Sequence, residues 1–202
     1  VSELRYLLLD LDGVIRHYPP QRNIEIEQKY NLNEGTLLSA AFEKSLLSKA
    51  VCGLISDEDW RAEIVNNVSK DYPRNIAASA VAEWSDFPGL VDDEFLKYVN
   101  TKFASLPISI LTNGTSRLHM DLSKINLKDK FFKIFNSAEI GFSKPDKRIF
   151  IQVLTDLRCQ PSEVLFIDDS KSHIQAAQEL GLKTHHYKSL DIFRSACEAT
   201  YD

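Results

Sequence analysis

Three short apolar runs in this sequence each end in polar residues able to do chemistry. Tyr6-Leu7-Leu8-Leu9 runs into Asp10-Leu11-Asp12-Gly13, Ile108-Ser109-Ile110-Leu111 into Thr112-Asn113-Gly114, and Val164-Leu165-Phe166-Ile167 into Asp168-Asp169-Ser170. Lys144, held extended by the proline that follows it, adds a cation. If these residues meet, the carboxylates of Asp10, Asp12, Asp168 and Asp169 repel one another unless a cation sits among them. Hard oxygen ligands without His or Cys favour Mg²⁺ over zinc, and Mg²⁺ is commonly held by one or two carboxylates plus a phosphate oxygen. A carboxylate can also attack phosphorus, which splits one hard displacement into two easier steps. A Thr hydroxyl and a Lys ammonium then suit the oxygens of the transferring group.

For these residues to meet, the runs must be neighbouring strands of one sheet. Nearly unbroken apolar runs suit a parallel sheet covered by helices on both faces. Lys133-Ile134-Phe135 and Lys183-Thr184-His185-His186-Tyr187 are weaker strand candidates. Helical patterns lie between the runs. Asp92 to Ser105 carries Phe95, Val99 and Phe103, and Pro145 to Arg158 carries Ile149, Phe150, Val153, Leu154 and Leu157, with Pro145 at the first helical position. Lys171 to Leu180 ends at Gly181. Strand and helix alternating in this way predict an α/β fold, a doubly wound Rossmann-like parallel sheet. In such a sheet ligands bind just beyond the carboxyl ends of the strands, where all three polar motifs fall.

Asp12 and Thr112 lie 100 positions apart, whereas a whole strand–helix–strand unit takes about 30 residues. The excess reads as helices. Leu37, Leu38, Ala41, Phe42, Ser45 and Leu46 form one amphipathic stripe, and Ser56-x-x-Asp59 is a capping box opening a helix with Trp60, Ile64 and Val68. Ile76, Ala80 and Trp84 repeat at helical spacing, and a shorter helix falls around Ile24 to Tyr30. The expected organisation is a core of residues 1–15 and 88–202 carrying a small α-helical bundle, residues 16–87, as an inserted cap.

Composition narrows the rest. The 202 residues carry 24 Lys and Arg against 29 Asp and Glu, a formal charge of −5. With no basic block, this argues against nucleic acid or an anionic membrane as partner. The three cysteines form no C-x-x-C pair and read as incidental thiols of a reducing compartment. No apolar stretch approaches the ~20 residues of a membrane span. Asp10 and Asp12 interrupt the first apolar run, so it is no signal segment, and a cytoplasmic location is expected.

Asp10-Leu11-Asp12-Gly13-Val14, Thr112-Asn113-Gly114, Lys144-Pro145 and Asp168-Asp169 resemble, in order and spacing, the four motifs of the haloacid dehalogenase-like superfamily. The resemblance spans residues 1–15 and about 88–190, and the insert matches the place and size of that family's all-helical cap. It implies that Asp10 is the nucleophile. Asp12 would protonate the leaving oxygen and later activate water, with its backbone carbonyl meeting the metal. Thr112 and Asn113 would hold the phosphoryl oxygens, Lys144 would neutralise charge between nucleophile and phosphate, and Asp168 and Asp169 would hold Mg²⁺. Members that cleave carbon–halogen bonds lack an acid at the place of Asp12, so the resemblance implies phosphomonoester chemistry on a small phosphorylated metabolite. A phosphotransferase or phosphomutase with a sugar acceptor uses the same residues. His173 departs from the pattern, standing where members usually carry Asn.

Arg16, His17 and Tyr18 follow the first motif and face the expected crevice between cap and core, which makes Arg16 and His17 candidates for substrate contact. Phe42 and Lys44 are weaker candidates, and Trp60 and Trp84 read as cap core. His185 and His186 are adjacent in a strand and point to opposite faces, so they cannot jointly hold a metal. A phosphorylated receiver module gathers similar residues, but its acidic pair comes first in the chain and it carries no large helical insert.

Overall fold

The structure is a computed structural model that describes residues 3–201. In chain order its elements are β1 (Tyr6–Leu9), β2 (Arg16–His17), α1 (Pro20–Lys29), α2 (Thr36–Ala41), α3 (Lys44–Val51), α4 (Asp57–Val68), α5 (Arg74–Ser85) and β3 (Leu90–Val91). They continue with α6 (Asp93–Lys102), β4 (Ile108–Thr112), α7 (Leu118–Lys124), β5 (Lys133–Asn136), α8 (Ser137–Ile140), α9 (Lys147–Leu157), β6 (Val164–Asp168), α10 (Lys171–Gln178), β7 (Lys183–His186) and α11 (Leu190–Tyr201).

The main sheet is five-stranded and parallel, in the order β5-β4-β1-β6-β7. β1 lies at its centre, with Leu7 paired to Ile108 on one side and Leu165 on the other. Its side chains alternate between two cores, as strand geometry requires. Leu7 and Leu9 join Phe95, Val99 and Phe193 on one face, while Leu8 joins Phe150, Val153 and Ile174 on the other. Both faces are therefore covered by helices, which is why the strand runs are apolar throughout. The chain order turns back at β1, with β4 on one side and β6 on the other, so the three polar motifs end side by side.

Helices α1 to α5 carry an apolar cluster of their own, built on Leu37, Trp60, Ile64, Ala77 and Val81. They rise from a two-stranded antiparallel ribbon in which Arg16 pairs with Val91 and His17 with Leu90. Several polar contacts fasten them to the core, among them the Lys124–Asp86 ion pair and two at the start of α4. The Thr115 hydroxyl donates to Asp57 Oδ1 at 2.8 Å, and the Asp57 N–H donates to Ser116 Oγ at 2.9 Å. Gly53, at φ 69°, brings its backbone so close to α8 that an added Cβ would lie 2.0 Å from the Ala138 carbonyl oxygen.

The capping box of Ser56 and Asp59 opens α4 as the sequence predicts. Two expectations are corrected. The stripe from Leu37 to Leu46 is two helices, because the Glu43 carboxylate accepts from the N–H groups of Ser45 and Leu46 and starts α3 afresh. Pro145 lies outside α9, whose cap is Asp146, accepting from the Arg148 N–H at 2.9 Å. Among the described residues no helix is long and apolar enough to cross a membrane.

Candidate active site

Asp10 leaves the end of β1 with its N–H still bonded to the Ile167 carbonyl at 2.8 Å, so its position is fixed by the sheet. The Lys144 ammonium reaches it from the loop before α9. It lies 2.8 Å from Asp10 Oδ1 and 2.7 Å from Asp168 Oδ2, and donates to the Leu111 carbonyl at 2.8 Å. Its three protons thus meet three acceptors, one from the end of each central strand. All three side chains are almost wholly buried, and a lysine is buried charged only when paired in this way.

The titration of the cluster follows from this geometry. Burial pushes the Asp10 carboxyl up, Lys144 counters this in part, and Asp168 adds to the rise. Asp168 is held below the usual carboxylate range. Burial alone would raise it, but hydrogen bonding to His173 and the charge of Lys144 outweigh that. Lys144 is itself raised, since its two carboxylates overcome the burial that would lower it. Asp169 is pushed up by burial and by Asp168. Its carboxylate lies against Gly13, where a Cβ would come within 2.2 Å of Oδ2, and this close approach requires glycine at φ 86°.

Three residues are placed differently from what their types alone suggest. Asp12 turns to Arg16, with Oδ1 2.6 Å from Nε and Oδ2 3.0 Å from Nη2, a two-point clamp across four residues. Arg16 is therefore engaged with Asp12, although it also lines the crevice. Asn113 brackets the lysine loop: its Nδ2 donates to the Lys144 carbonyl at 2.9 Å and its Oδ1 accepts from the Lys144 N–H at 2.8 Å. His17 is exposed, faces Asp92 at 3.9 Å and does not line the crevice. Thr112 is buried at the end of β4, beside the cluster in sequence register with Asn136.

The donor set fits a hard divalent cation. Ligand atoms of Asp10, Asp168 and His173 lie within 4.8 Å of one another, so two hard carboxylates stand together and, unlike the all-oxygen set expected from the sequence, a histidine stands with them while Asp169 lies outside the group. His173 Nδ1 lies 3.0 Å from both Asp168 oxygens and orients that carboxylate. His186 meets the Asp169 carbonyl at 2.9 Å, whereas the His185 ring lies tilted against Phe193 at 4.8 Å, as opposite strand faces require.

A cavity of about 250 Å³ runs from Asp12 and Asn113 to the underside of the cap. Among its walls are Arg117, Trp60 and Trp84, which the sequence did not mark for a site. Arg117 is bonded to Asp121 at 2.9 Å. The sequence marked both tryptophans only as members of apolar stripes, and the crossing of α4 and α5 is what turns an edge of each toward the cavity.

A family model described as haloacid dehalogenase-like hydrolase matches residues 21–186. The pig (Sus scrofa) bifunctional epoxide hydrolase 2 is 25% identical over 199 residues, covering 90% of this chain and 36% of that protein. The chain thus spans about a third of that relative. D-ribitol-5-phosphate phosphatase from Bacteroides thetaiotaomicron is 23% identical over 189 residues, 90% of each chain. Among solved structures, a HAD family enzyme from the same bacterium in a magnesium complex superposes with a TM-score of 0.74 at 24% identity, over 96% of this chain and 100% of that one. L-2-haloacid dehalogenase from Xanthobacter autotrophicus gives 0.66 at 16% identity, over 98% and 83%. Likeness at these identities shows a shared fold.

Proposed function

The chain belongs to the haloacid dehalogenase-like hydrolase family, and from that premise we propose that it is a Mg²⁺-dependent phosphatase. It hydrolyses a small phosphomonoester through an aspartyl-phosphate on Asp10. The observation that carries this reading is the buried Asp10–Lys144–Asp168 cluster at three adjacent strand ends, with a second acid, Asp12, two residues beyond the first. The relative named D-ribitol-5-phosphate phosphatase is consistent with it.

Asp10 attacks phosphorus, its main chain anchored to β6 so that little reorganisation is needed. Lys144 lies against the attacking carboxylate and balances negative charge as the phosphoryl group arrives. The Thr112 hydroxyl and the main-chain N–H of Asn113 hold phosphoryl oxygens, while the Asn113 side chain keeps the lysine loop in place. Asp12 gives a proton to the departing oxygen and then takes one from the water that opens the acyl phosphate. For that it must leave its clamp on Arg16, which makes Arg16 a positioning residue for the acid. Asp10, Asp168, Asp169 and the Asp12 carbonyl would hold Mg²⁺, which supplies charge neutralisation at the phosphoryl group. The presence of the acid at Asp12 favours a phosphate ester over a halide, since an alkoxide needs a proton to leave and general acid catalysis contributes about 10²–10⁴-fold. The core of residues 1–15 and 88–202 does the chemistry and the cap of residues 16–87 closes over it.

Phosphate release from simple phosphomonoesters in Mg²⁺, with and without an added sugar acceptor, tests the reading. Release without acceptor, abolished by excess chelator, is expected. Phosphoryl transfer only when the acceptor is present would make the enzyme a phosphotransferase, and turnover that persists in chelator would remove the metal.

A further inference from the structure

The cavity has two unlike ends, and the far one says what the phosphate is attached to. We infer that the substrate's organic part is an apolar body, a short alkyl or aryl group, and not a polyhydroxylated sugar. This rests on the phosphatase reading and concerns the same site.

The cap wall of the cavity is formed by Leu38, Phe42, Leu47, Val51, Trp60 and Trp84. Leu38 and Phe42 remain 37% and 56% exposed although their neighbours Leu37 and Ala41 are fully buried in the cap cluster. Their apolar surface turns toward the cavity that begins at Asp12. Neither tryptophan has a donor left to offer. The Trp60 indole N–H is bonded to the Ala41 carbonyl at 3.2 Å and that of Trp84 to Asn23 Oδ1 at 3.0 Å, so both present hydrocarbon. The two rings lie 6.0 Å apart, near enough to face the same bound group.

Most of the polar groups around this wall are engaged as well, with the Tyr18 hydroxyl and the Asn23 amide N–H as exceptions. Arg16 is clamped on Asp12, Arg117 on Asp121, and Asp57 accepts from Thr115. The Ser85 hydroxyl donates to the Ala82 carbonyl at 3.3 Å. Arg22 donates to the Glu83 carbonyl at 2.8 Å and lies over the Phe87 ring at 4.7 Å. Its buried Nε lacks a partner. A sugar or polyol would bring several hydroxyls to this wall, and each one buried without a partner weakens binding. An alkyl or aryl group replaces water there without such a loss. At about 250 Å³ the space lies just below the ~300–1,000 Å³ of pockets for drug-sized ligands, so the body is short.

The chain has two tryptophans and both line this cavity, so intrinsic fluorescence reports its occupancy. Non-hydrolysable n-alkylphosphonates from methyl to butyl, titrated in Mg²⁺, are the probes. Kd should fall about fourfold per added methylene, the size set by moving one CH₂ out of water. A trihydroxybutylphosphonate should bind no tighter than methylphosphonate. Phe42→Ser, at an exposed position outside the cap cluster, should reduce the gain per methylene to below about twofold. A Kd that does not change along the series, or a polyol that binds tighter than butyl, overturns the inference. Turnover of phosphomonoesters with a flat series removes this inference alone, whereas a steep series with no phosphate released from butyl phosphate removes the phosphatase reading alone.

Discussion

The buried charge cluster at the strand ends and the cap end of the cavity are made of different materials by different means. At the strand ends, Asp10, Lys144 and Asp168 are ionisable, buried and locked together at 2.7–2.8 Å. At the cap end, Leu38, Phe42, Trp60 and Trp84 present apolar surface from α2, its C-terminal end, α4 and α5, with each indole N–H bonded within the cap. Charge clusters of the first kind need rigid placement, because two carboxylates separated by an ammonium tolerate no slack in a site of low polarity. The second kind tolerates exchange, since apolar surfaces repack at little cost. The same reaction can thus be kept while the selected substrate changes with the cap.

Several substitutions probe that contrast, beginning where the effect is greatest. Lys144→Met leaves two carboxylates facing each other without their cation, so activity should fall to background. Stability should drop by about 3–5 kcal/mol, the usual loss on breaking a buried ion pair, read from the urea midpoint. A variant as stable as wild type would show that the catalytic end is not held by this cluster. Gly53→Ala acts at the seam between the two ends. The new Cβ would meet the Ala138 carbonyl and the backbone is at positive φ, so the cap must shift. About 1–3 kcal/mol of stability should be lost, with KM rising more than kcat falls. An unchanged KM would mean that the seam does not set the shape of the cavity.

The smallest effect tests the sign of the Asp10 titration. Because its carboxyl is raised by burial, its contribution to stability is full below the ordinary carboxylate pKa of about 4 and is lost as pH rises through the raised value. Asp168, held low, behaves oppositely and stays ionised over that window. Metal-free wild type should therefore lose stability from mildly acidic to mildly alkaline pH. Asp10→Asn, with no carboxyl to titrate, should show a flatter dependence over the same window. Parallel curves for the two proteins would refute the assignment.

What could be read from the sequence follows the same division. The central strands were legible because burial on both faces removes polar residues, and the apolar runs 6–9, 108–111 and 164–167 fall within β1, β4 and β6. Their polar ends followed from chain order. The cap was legible as helices but not as a wall. Its apolar stripes face both a private core and the cavity, and only the way the helices cross decides which edge of Trp60 or Trp84 is shared. The break at Glu43 was hidden because the stripe keeps its period across it. The Asp12–Arg16 clamp and the bracket of Asn113 around Lys144 depend on loop paths that residue types do not specify.

The central claim is that Asp10 carries the phosphoryl group in turnover, and a trapping measurement on Asp12→Asn tests it most directly. With radiolabelled 4-nitrophenyl phosphate, whose leaving group needs no proton, the first step should proceed while the missing base slows the second. Acid quench after a single turnover in Mg²⁺, followed by peptide mapping, should find the label on the peptide that contains Asp10. Label on any other residue, or 4-nitrophenol released in a burst with no label on the protein, would contradict the account.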